Sequence, residues 1–144
     1  MKISECMSRD VKIAAPDHTM QSAAQTMADI DAGFLPVADN DRLIGTVTDR
    51  DIAIRGVAAG RSPDTNVREV MSEDIKYCYD DDDSDHVLDN MGDIQVRRLP
   101  VVNRDKKLVG IVSLTDLAGN GDRKQAGEAL GDIARPSAQH SQTV

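Results

Sequence analysis

Residues 45–51 have the sequence GTVTDRD, and a second heptapeptide of the same pattern, GIVSLTD, occupies residues 110–116. In both, a glycine comes first, a hydroxyl residue follows three positions later, and an aspartate follows three positions after that. A Leu-Pro-Val tripeptide precedes each copy, at residues 35–37 and 99–101. Ordered matches of this kind are not expected from composition bias, so the chain contains one unit written twice.

Matches outside the heptapeptides define the extent of the repeat. Residues 6–12, CMSRDVK, return as VMSEDIK at residues 70–76, an offset of 64 residues, and one extra residue near Lys106 shifts the later matches. Each copy is too small to bury a hydrophobic face alone, so we expect the copies to pack on each other. The resulting division is a first unit at 1–60, a linker at 61–65, a second unit at 66–121 and a remainder at 122–144.

The spacing of apolar residues predicts the same order of elements in both units: strand, helix, strand, strand, helix. In the first unit we expect them at residues 11–14, 20–33, 34–38, 43–47 and 48–60. In the second unit we expect them at residues 75–79, 85–93, 98–102, 108–112 and 113–119. We also expect a short connecting helix at 66–71, a further short helix near 126–133 and a disordered tail from residue 135. The fold class is α/β of the α+β type.

The composition excludes several classes of protein. The chain has 144 residues, a formal net charge of -8, no Trp, one Phe and two Tyr. An acidic surface repels phosphate backbones, which argues against binding to DNA. No stretch approaches the roughly 20 apolar residues of a membrane span, and no signal peptide is evident, so we expect a cytoplasmic protein that does not bind membranes. Cys6 and Cys78 lack CxxC spacing and are expected to be free thiols.

The doubled motif closely resembles the cystathionine-β-synthase (CBS) domain, pairs of which form a Bateman module. The resemblance covers about residues 1–118, and the sequences TDRDIA at 48–53 and RRLPV at 97–101 look most like stand-alone bacterial CBS-pair proteins. It implies two β-α-β-β-α units packed through their sheets with pseudo-two-fold symmetry. It also implies a homodimer and up to two clefts for adenosine-containing ligands such as AMP, ATP or S-adenosylmethionine.

The hydroxyl and carboxylate of each motif suit the polar part of a nucleotide. The Thr48 and Ser113 hydroxyls, with exposed backbone N–H groups beside them at a helix start, favour a phosphate. The Asp51 and Asp116 carboxylates follow one helical turn later, and a two-oxygen acceptor suits the vicinal hydroxyls of ribose. The alternative interpretation is a plain helix cap, which uses the same residue types at the same spacing.

By the same resemblance, the adenine falls on the first strand and on the segment before Leu-Pro-Val. In the first unit the corresponding residues are Ile13, Ala14, Ala15, Gly33 and Phe34. In the second unit they are Tyr77, Cys78, Tyr79, Arg97 and Arg98. Tyr79 suits stacking on a base and the arginines suit a phosphate, so the second cleft is the better equipped. In the alternative, the tyrosines are ordinary strand residues and the arginines are surface charges.

A run of carboxylates before the second unit's first helix has two interpretations. As a solvated acidic loop, it caps the helix and interacts with its dipole. As a cation site, it holds Mg²⁺ beside a polyphosphate, because hard oxygen ligands suit that ion. The candidate Mg²⁺ ligands are Asp80, Asp81, Asp82 and Asp83.

Two classes of function remain, with an enzyme a distant third. The first is a regulatory module, in which a nucleotide in one or both clefts stabilises an arrangement that an effector protein recognises. The second is a constitutive dimeric interaction protein with vestigial clefts. An enzyme has little support, because the sequence offers no activated nucleophile, general base or catalytic cofactor site, and only the acidic run with Mg²⁺ could support hydrolysis.

Overall fold

The computed structural model describes residues 1–120 and 123–135, which form an α+β fold, as predicted. The helices are α1 (Met20–Ile30), α2 (Asp49–Asp51), α3 (Ser84–Ile94), α4 (Leu114–Asn120) and α5 (Arg123–Ile133). The strands are β1 (Phe34–Asp39), β2 (Arg42–Thr48), β3 (Cys78–Tyr79), β4 (Arg98–Val102) and β5 (Leu108–Ser113). Short 3-10 helices occupy Ile3–Glu5 and Val67–Glu69, and a π-helix occupies Ile52–Val57. The predicted tail falls mostly beyond residue 135, outside the described part of the chain.

The chain divides into two compact units, and each unit combines stretches that are separate in the sequence. The first-repeat unit consists of Asp10–Tyr77 and Val102–Leu108, and the second-repeat unit consists of Met1–Arg9, Cys78–Val101 and the described residues from Val109 onward. The start of the chain therefore packs with the second repeat, and the segment after the linker packs with the first. The expected bounds 1–60 and 66–121 describe the repeat along the chain, whereas each compact unit takes its leading segment from the other repeat.

The first-repeat unit packs α1 against the antiparallel hairpin of β1 and β2. Thr19 caps α1, its Oγ1 accepting the Ser22 N–H at 3.0 Å, and Asp31 ends the helix in the left-handed region at φ 53°. Asn40 and Asp41, both with positive φ, form the hairpin turn, a conformation that short polar side chains tolerate. The buried core consists of Ala14, Met20, Ala23, Met27, Leu35, Val37, Val47, Val67, Val70 and Met71.

The second-repeat unit has a three-stranded sheet in the order β3-β4-β5, with α3, α4 and α5. Asp83 caps α3 by accepting the Asp85 N–H at 2.8 Å, and Gln95 ends the helix at φ 58°. An apolar core joins the start of the chain to this sheet and to α3, α4 and α5. Its members are Ile3, Cys6, Cys78, Val87, Leu88, Met91, Leu99, Val101, Val112, Leu117, Ala126 and Ala129.

Both cysteines of this core are buried, free thiols. Burial raises the pKa of Cys78 to about 12, and the Asp82 carboxylate acts in the same direction. Burial also raises the pKa of Cys6. Both side chains therefore remain neutral thiols at physiological pH.

Three predicted elements take a different form. The strand at 11–14 is reduced to one parallel bridge between Ala14 and Val37, and the strand at 75–79 retains only β3. The helix predicted from Thr48 widens after α2, where the Ala58 N–H donates to the Ala53 carbonyl, five residues back, as in a π-helix. Among the described residues, no helix has the length and apolar character needed to cross a membrane.

Candidate ligand cleft of the second repeat

A cavity of about 570 Å³ opens in the second-repeat unit beside the start of β4, the end of β5, α4 and α5. Its volume lies within the range of small-molecule sites, roughly 300–1,000 Å³. Polar and apolar groups share its wall. They include Arg97, Arg98, Arg123 and Ser113, with Ala126 and Leu130 from α5. The fold therefore brings three residues that the sequence predicted, Arg97, Arg98 and Ser113, to one cavity.

Three guanidinium groups give this cavity a positive charge within an acidic chain. Arg97, Arg98 and Arg123 are all exposed, and within residues 1–120 and 123–135 none of their side chains makes an ion pair or hydrogen bond. The backbone of Arg97 is fixed, because its carbonyl accepts the Leu114 N–H at 2.9 Å. Clustered charges of one sign raise the local concentration of counter-ions, so the cavity favours an anionic ligand.

Ser113 and Asp116 form a reciprocal cap where β5 passes into α4. The Asp116 N–H donates to Ser113 Oγ, and the Ser113 N–H donates to Asp116 Oδ2, both at 3.0 Å. The N–H groups of Leu114 and Asp116 are thus bonded within the chain, and phosphate binding at this helix start stays a prediction. The Ser113 side chain also lines the cavity.

Thr48 and Asp51 make the same reciprocal cap in the first repeat, again with both distances at 3.0 Å. A second interaction also fixes the Asp51 carboxylate, whose Oδ1 lies 4.0 Å from Arg55 Nε. The capping interpretation therefore accounts for the hydrogen bonds of both motifs.

The first-repeat unit has a smaller concavity, of about 270 Å³, beside Gly33. Asp31 and Asp49 line it. The Asp49 carboxylate packs closely against Gly33, and a Cβ added to Gly33 would lie 2.5 Å from Asp49 Oδ2. These carboxylates disfavour an anionic ligand. The lining includes none of the other predicted residues, Ile13, Ala14, Phe34, Thr48 and Asp51.

Three of those residues, Ile13, Ala14 and Phe34, lie on or beside β1. Ala14 is 2 % exposed and bonded on both sides to β1, donating to the Pro36 carbonyl and accepting the Ala38 N–H. Ile13 is 41 % exposed, and Phe34 is half-buried at the start of the β1–β2 pairing. The assembly of these residues around a cleft, as the resemblance implies, therefore stays a prediction.

The two tyrosines do not line the 570 Å³ cavity. Tyr77 belongs to the first-repeat unit, where Lys106 Nζ lies 3.1 Å from its hydroxyl and 5.4 Å from the centre of its ring. The Tyr79 N–H donates to the Asp82 carboxylate at 2.9 Å. The contacts of the Tyr77 side chain favour its interpretation as a structural residue.

The acidic run forms a turn that anchors the start of the chain. The carbonyls of Asp80 and Asp82 accept the N–H groups of Ser4 and Ile3, both at 2.9 Å. The Asp83 side chain is occupied as the cap of α3. In the part of the chain that the structure describes, no three His, Cys, Asp or Glu residues are grouped as a metal site would require, and Mg²⁺ binding by the acidic run stays a prediction.

Arg123 is the cleft residue that the sequence did not indicate. It lies outside the repeat, so no matching position in the first unit points to it. The apolar residues 126–133 predicted a helix there, and α5 bears this out. Helical periodicity shows that a face is buried but not which surface it packs against, so the cavity wall formed by α5 was not predictable.

Comparison with known proteins gives consistent matches. The CBS domain matches residues 3–56 and 67–120. The CBS domain-containing protein YhcV of Bacillus subtilis is 38% identical over 133 residues, 92% of this chain and 94% of that protein. A crystal structure of Hypoxic Response Protein I with two coordinated zinc ions is 37% identical, has a TM-score of 0.75, and is matched over 83% of this chain and 98% of its own.

A more distant structure shares the fold alone. It is the CBS domain pair of protein MJ0100 in complex with 5′-methylthioadenosine and S-adenosyl-L-methionine, with 24% identity and a TM-score of 0.71 over 83% of this chain and 94% of its own. The two matched repeats, the α+β fold and the relatives agree, and the chain belongs to the CBS domain family as a pair of CBS domains.

Proposed function

We propose that this protein is a non-catalytic regulatory module that binds an adenosine-containing ligand in the cavity of the second-repeat unit. The observation that carries the proposal is the grouping of Arg97, Arg98 and Ser113 on one cavity of about 570 Å³. Arginines suit phosphate, because their planar guanidinium groups donate paired hydrogen bonds. The apolar side chains of α5 provide a surface for the flat face of a base.

The fold supports an adenosine ligand more than a metal ion. The MJ0100 pair is described in complex with two adenosine derivatives, and it has the same fold as this chain. Hypoxic Response Protein I is described with two zinc ions. We do not extend zinc binding to this protein, because the described residues contain no group of three metal-ligating side chains.

The regulatory step follows from differential binding. A ligand that prefers one of two arrangements of the chain, or of a homodimer, shifts the population by its difference in affinity, typically about 1–3 kcal/mol. An effector protein that contacts only one arrangement then responds to the ligand. In this proposal the protein acts in the cytoplasm, without a catalytic cofactor.

A thermal-shift panel tests the proposal. The full chain is heated with AMP, ADP, ATP, 5′-methylthioadenosine and S-adenosylmethionine, and with the corresponding guanosine nucleotides as controls. A bound ligand stabilises the folded chain, by about 2.7 kcal/mol at a concentration 100 times its dissociation constant. We expect at least one adenosine compound to raise the melting temperature and guanosine nucleotides to have less effect. No shift with any of them would favour the constitutive interaction protein with vestigial clefts.

A further inference from the structure

The C-terminal helix α5 lies outside the two CBS matches, which end at residue 120, yet it forms one wall of the cavity. It contributes Arg123 from its first turn and Ala126 and Leu130 from the next two turns. These positions are three or four residues apart, which places them on one face of a helix. The cleft of this chain therefore contains a component that the family match does not include.

Specific contacts fix the position of α5 on α3. Gln125 Nε2 donates to the Asp85 carbonyl at 2.8 Å and to Asp89 Oδ1 at 2.9 Å. Near the other end, Gln95 Nε2 donates to the Asp132 carbonyl at 2.9 Å. Because both ends of the helix are bonded to α3 or its C-cap, Arg123 is held at the edge of the cavity.

The helices also approach each other closely between these two bonds. A Cβ added to Gly92 would lie 3.3 Å from the Ala129 Cα and 3.1 Å from Asp132 Oδ2. Ala126 and Ala129 are 7% and 3% exposed. Small residues thus allow α5 to pack tightly on α3.

The charges that the described residues bring to the cavity all have one sign. Among residues 1–120 and 123–135 the lining contains Arg97, Arg98 and Arg123 but no Asp or Glu, and none of the three guanidinium groups has an ionic partner there. Three neighbouring cations repel one another, and an anion in the cavity relieves that repulsion. A neutral nucleoside gains no charge–charge attraction from the three guanidinium groups. The sulfonium of S-adenosylmethionine is itself a cation, so these groups repel it.

We infer that Arg123 of α5 is a specificity-determining residue that makes this cleft select phosphorylated adenosine ligands over uncharged or cationic ones. The inference rests on the proposed function and adds the class of ligand. Arg97 and Arg98 directly precede the Leu-Pro-Val tripeptide within the second matched CBS domain, whereas Arg123 adds a third positive charge from outside the repeat. The ligand class is an adenosine nucleotide with one or more phosphate groups.

Calorimetric titration of the full chain with ATP, adenosine and inorganic pyrophosphate tests the inference. The variant is Arg123→Gln, which removes the charge and keeps a good helix former. Lys124→Gln is the matched control, because it removes the same charge from the adjacent exposed position, which does not line the cavity. We expect Arg123→Gln to weaken ATP and pyrophosphate about tenfold, the value of one charged hydrogen bond, and to leave adenosine unchanged. Lys124→Gln should change none of the three affinities by more than about twofold.

Each other outcome is decisive. The inference is overturned if the wild-type chain binds adenosine as tightly as ATP, or if Arg123→Gln leaves ATP unchanged or weakens ATP and adenosine by the same factor. If neither adenosine nor ATP binds but pyrophosphate binds in an Arg123-dependent way, the adenosine proposal fails and the phosphate selectivity stands. If none of the three binds the wild-type chain, both fail.

Discussion

The hydroxyl and carboxylate of each CBS repeat make the same cap but have different surroundings. Thr48 with Asp51, and Ser113 with Asp116, each exchange two hydrogen bonds of 3.0 Å. Of these four residues, Ser113 lines the 570 Å³ cavity, which also carries arginines. The local structure is therefore equivalent in the two repeats, and a difference in ligand binding must come from the neighbouring residues.

Matched alanine variants separate capping from binding. We expect Asp51→Ala and Asp116→Ala each to lower the free energy of unfolding by about 1 kcal/mol, because each removes one capping carboxylate. Only Asp116→Ala should also weaken ATP, by about fivefold or more, because its motif borders the charged cavity. Urea denaturation and calorimetric titration measure the two effects. If only Asp51→Ala weakened ATP binding, the ligand would lie in the first repeat, which would contradict the proposed site.

The buried thiol of Cys78 makes stability depend on pH in alkali. Its pKa is about 12 in the folded chain and returns to its ordinary value near 9 on unfolding. The folded state keeps its proton longer, so this contribution to stability is complete below pH 9 and is lost as the pH rises towards 12. We expect the free energy of unfolding to fall by up to about 1.4 kcal/mol per pH unit in this window.

Urea denaturation of the wild-type chain and of Cys78→Ala at pH 8 and pH 10 measures this effect. The variant has no thiol at this site, so its stability should decline less between the two pH values, although it is less stable at both. An equal decline in the two proteins would show that Cys78 ionises at its ordinary pKa in the folded chain.

The last strand of each repeat requires glycine where another segment crosses it. A Cβ on Gly110 of β5 would lie 2.6 Å from Met7 Sδ and 2.9 Å from the Ser8 carbonyl. A Cβ on Gly45 of β2 would lie 2.7 Å from the Ser72 carbonyl. Backbone bonds accompany both approaches, between Ser8 and Ile111 and between Thr46 and Ser72. The glycine that opens the repeated heptapeptide therefore has a packing role.

Two glycine variants test this role. Gly110→Ala should lower the free energy of unfolding by about 1–3 kcal/mol, because the added methyl group must displace backbone. Gly131→Ala is the control, since nothing lies within 4 Å of a Cβ at this helical position. It should raise the free energy of unfolding by up to about 1 kcal/mol through its better helix propensity. Thermal or urea denaturation checks both, and an unchanged stability in Gly110→Ala would exclude the close approach.

The sequence predicted elements well where periodicity and capping agree. The expected helix from Thr19 or Met20 begins at Met20, and the strand at 98–102 has the bounds of β4. The strand at 11–14 was over-predicted, because only Ala14 finds a partner and Ile13 remains exposed. The π-helix at Ile52–Val57 has no signal in the apolar spacing, since it changes the helical bonding within one predicted element.

Across the whole chain, the two repeats exchange their leading segments. Ile3 is fully buried in the core of the second-repeat unit, and Val67, its counterpart at the offset of 64 residues, is fully buried in that of the first. Neither repeat is therefore complete as a continuous stretch of sequence. Self-similarity identifies the copies, but it does not state which copy receives each segment.

The exchange predicts that a residue near the chain start contributes strongly to stability. Ile3→Ala should lower the free energy of unfolding by about 2–5 kcal/mol, as for other buried large-to-small changes. Ile54→Ala is the control, because Ile54 is 53% exposed and should cost far less. Urea denaturation distinguishes them. A loss in Ile3→Ala as small as in the control would show that the chain start does not pack in the core.

The candidate site was predictable only in part. The doubled motif indicated Ser113, the resemblance to CBS domains indicated the pair of arginines, and these residues share a cavity. The backbones of Ala14 and Tyr79, two of the positions assigned to adenine, take part in the hydrogen bonding of the fold, and their contact with a base stays a prediction. Arg123 escaped prediction because it comes from a helix without a counterpart in the first repeat. The difference in charge between the two repeats depends on tertiary packing, which a repeat pattern does not encode.

The stoichiometry of nucleotide binding is the most direct test of a single phosphate-selective cleft in each chain. Calorimetric titration of the wild-type protein with ATP should give one equivalent per chain, because the second-repeat cavity carries three arginines and the first-repeat concavity carries Asp31 and Asp49. Arg123→Gln should weaken that single site about tenfold without changing the number of sites. Two equivalents of ATP per chain would contradict a single cleft in the second repeat. A folded wild-type protein that binds no ATP would contradict it as well.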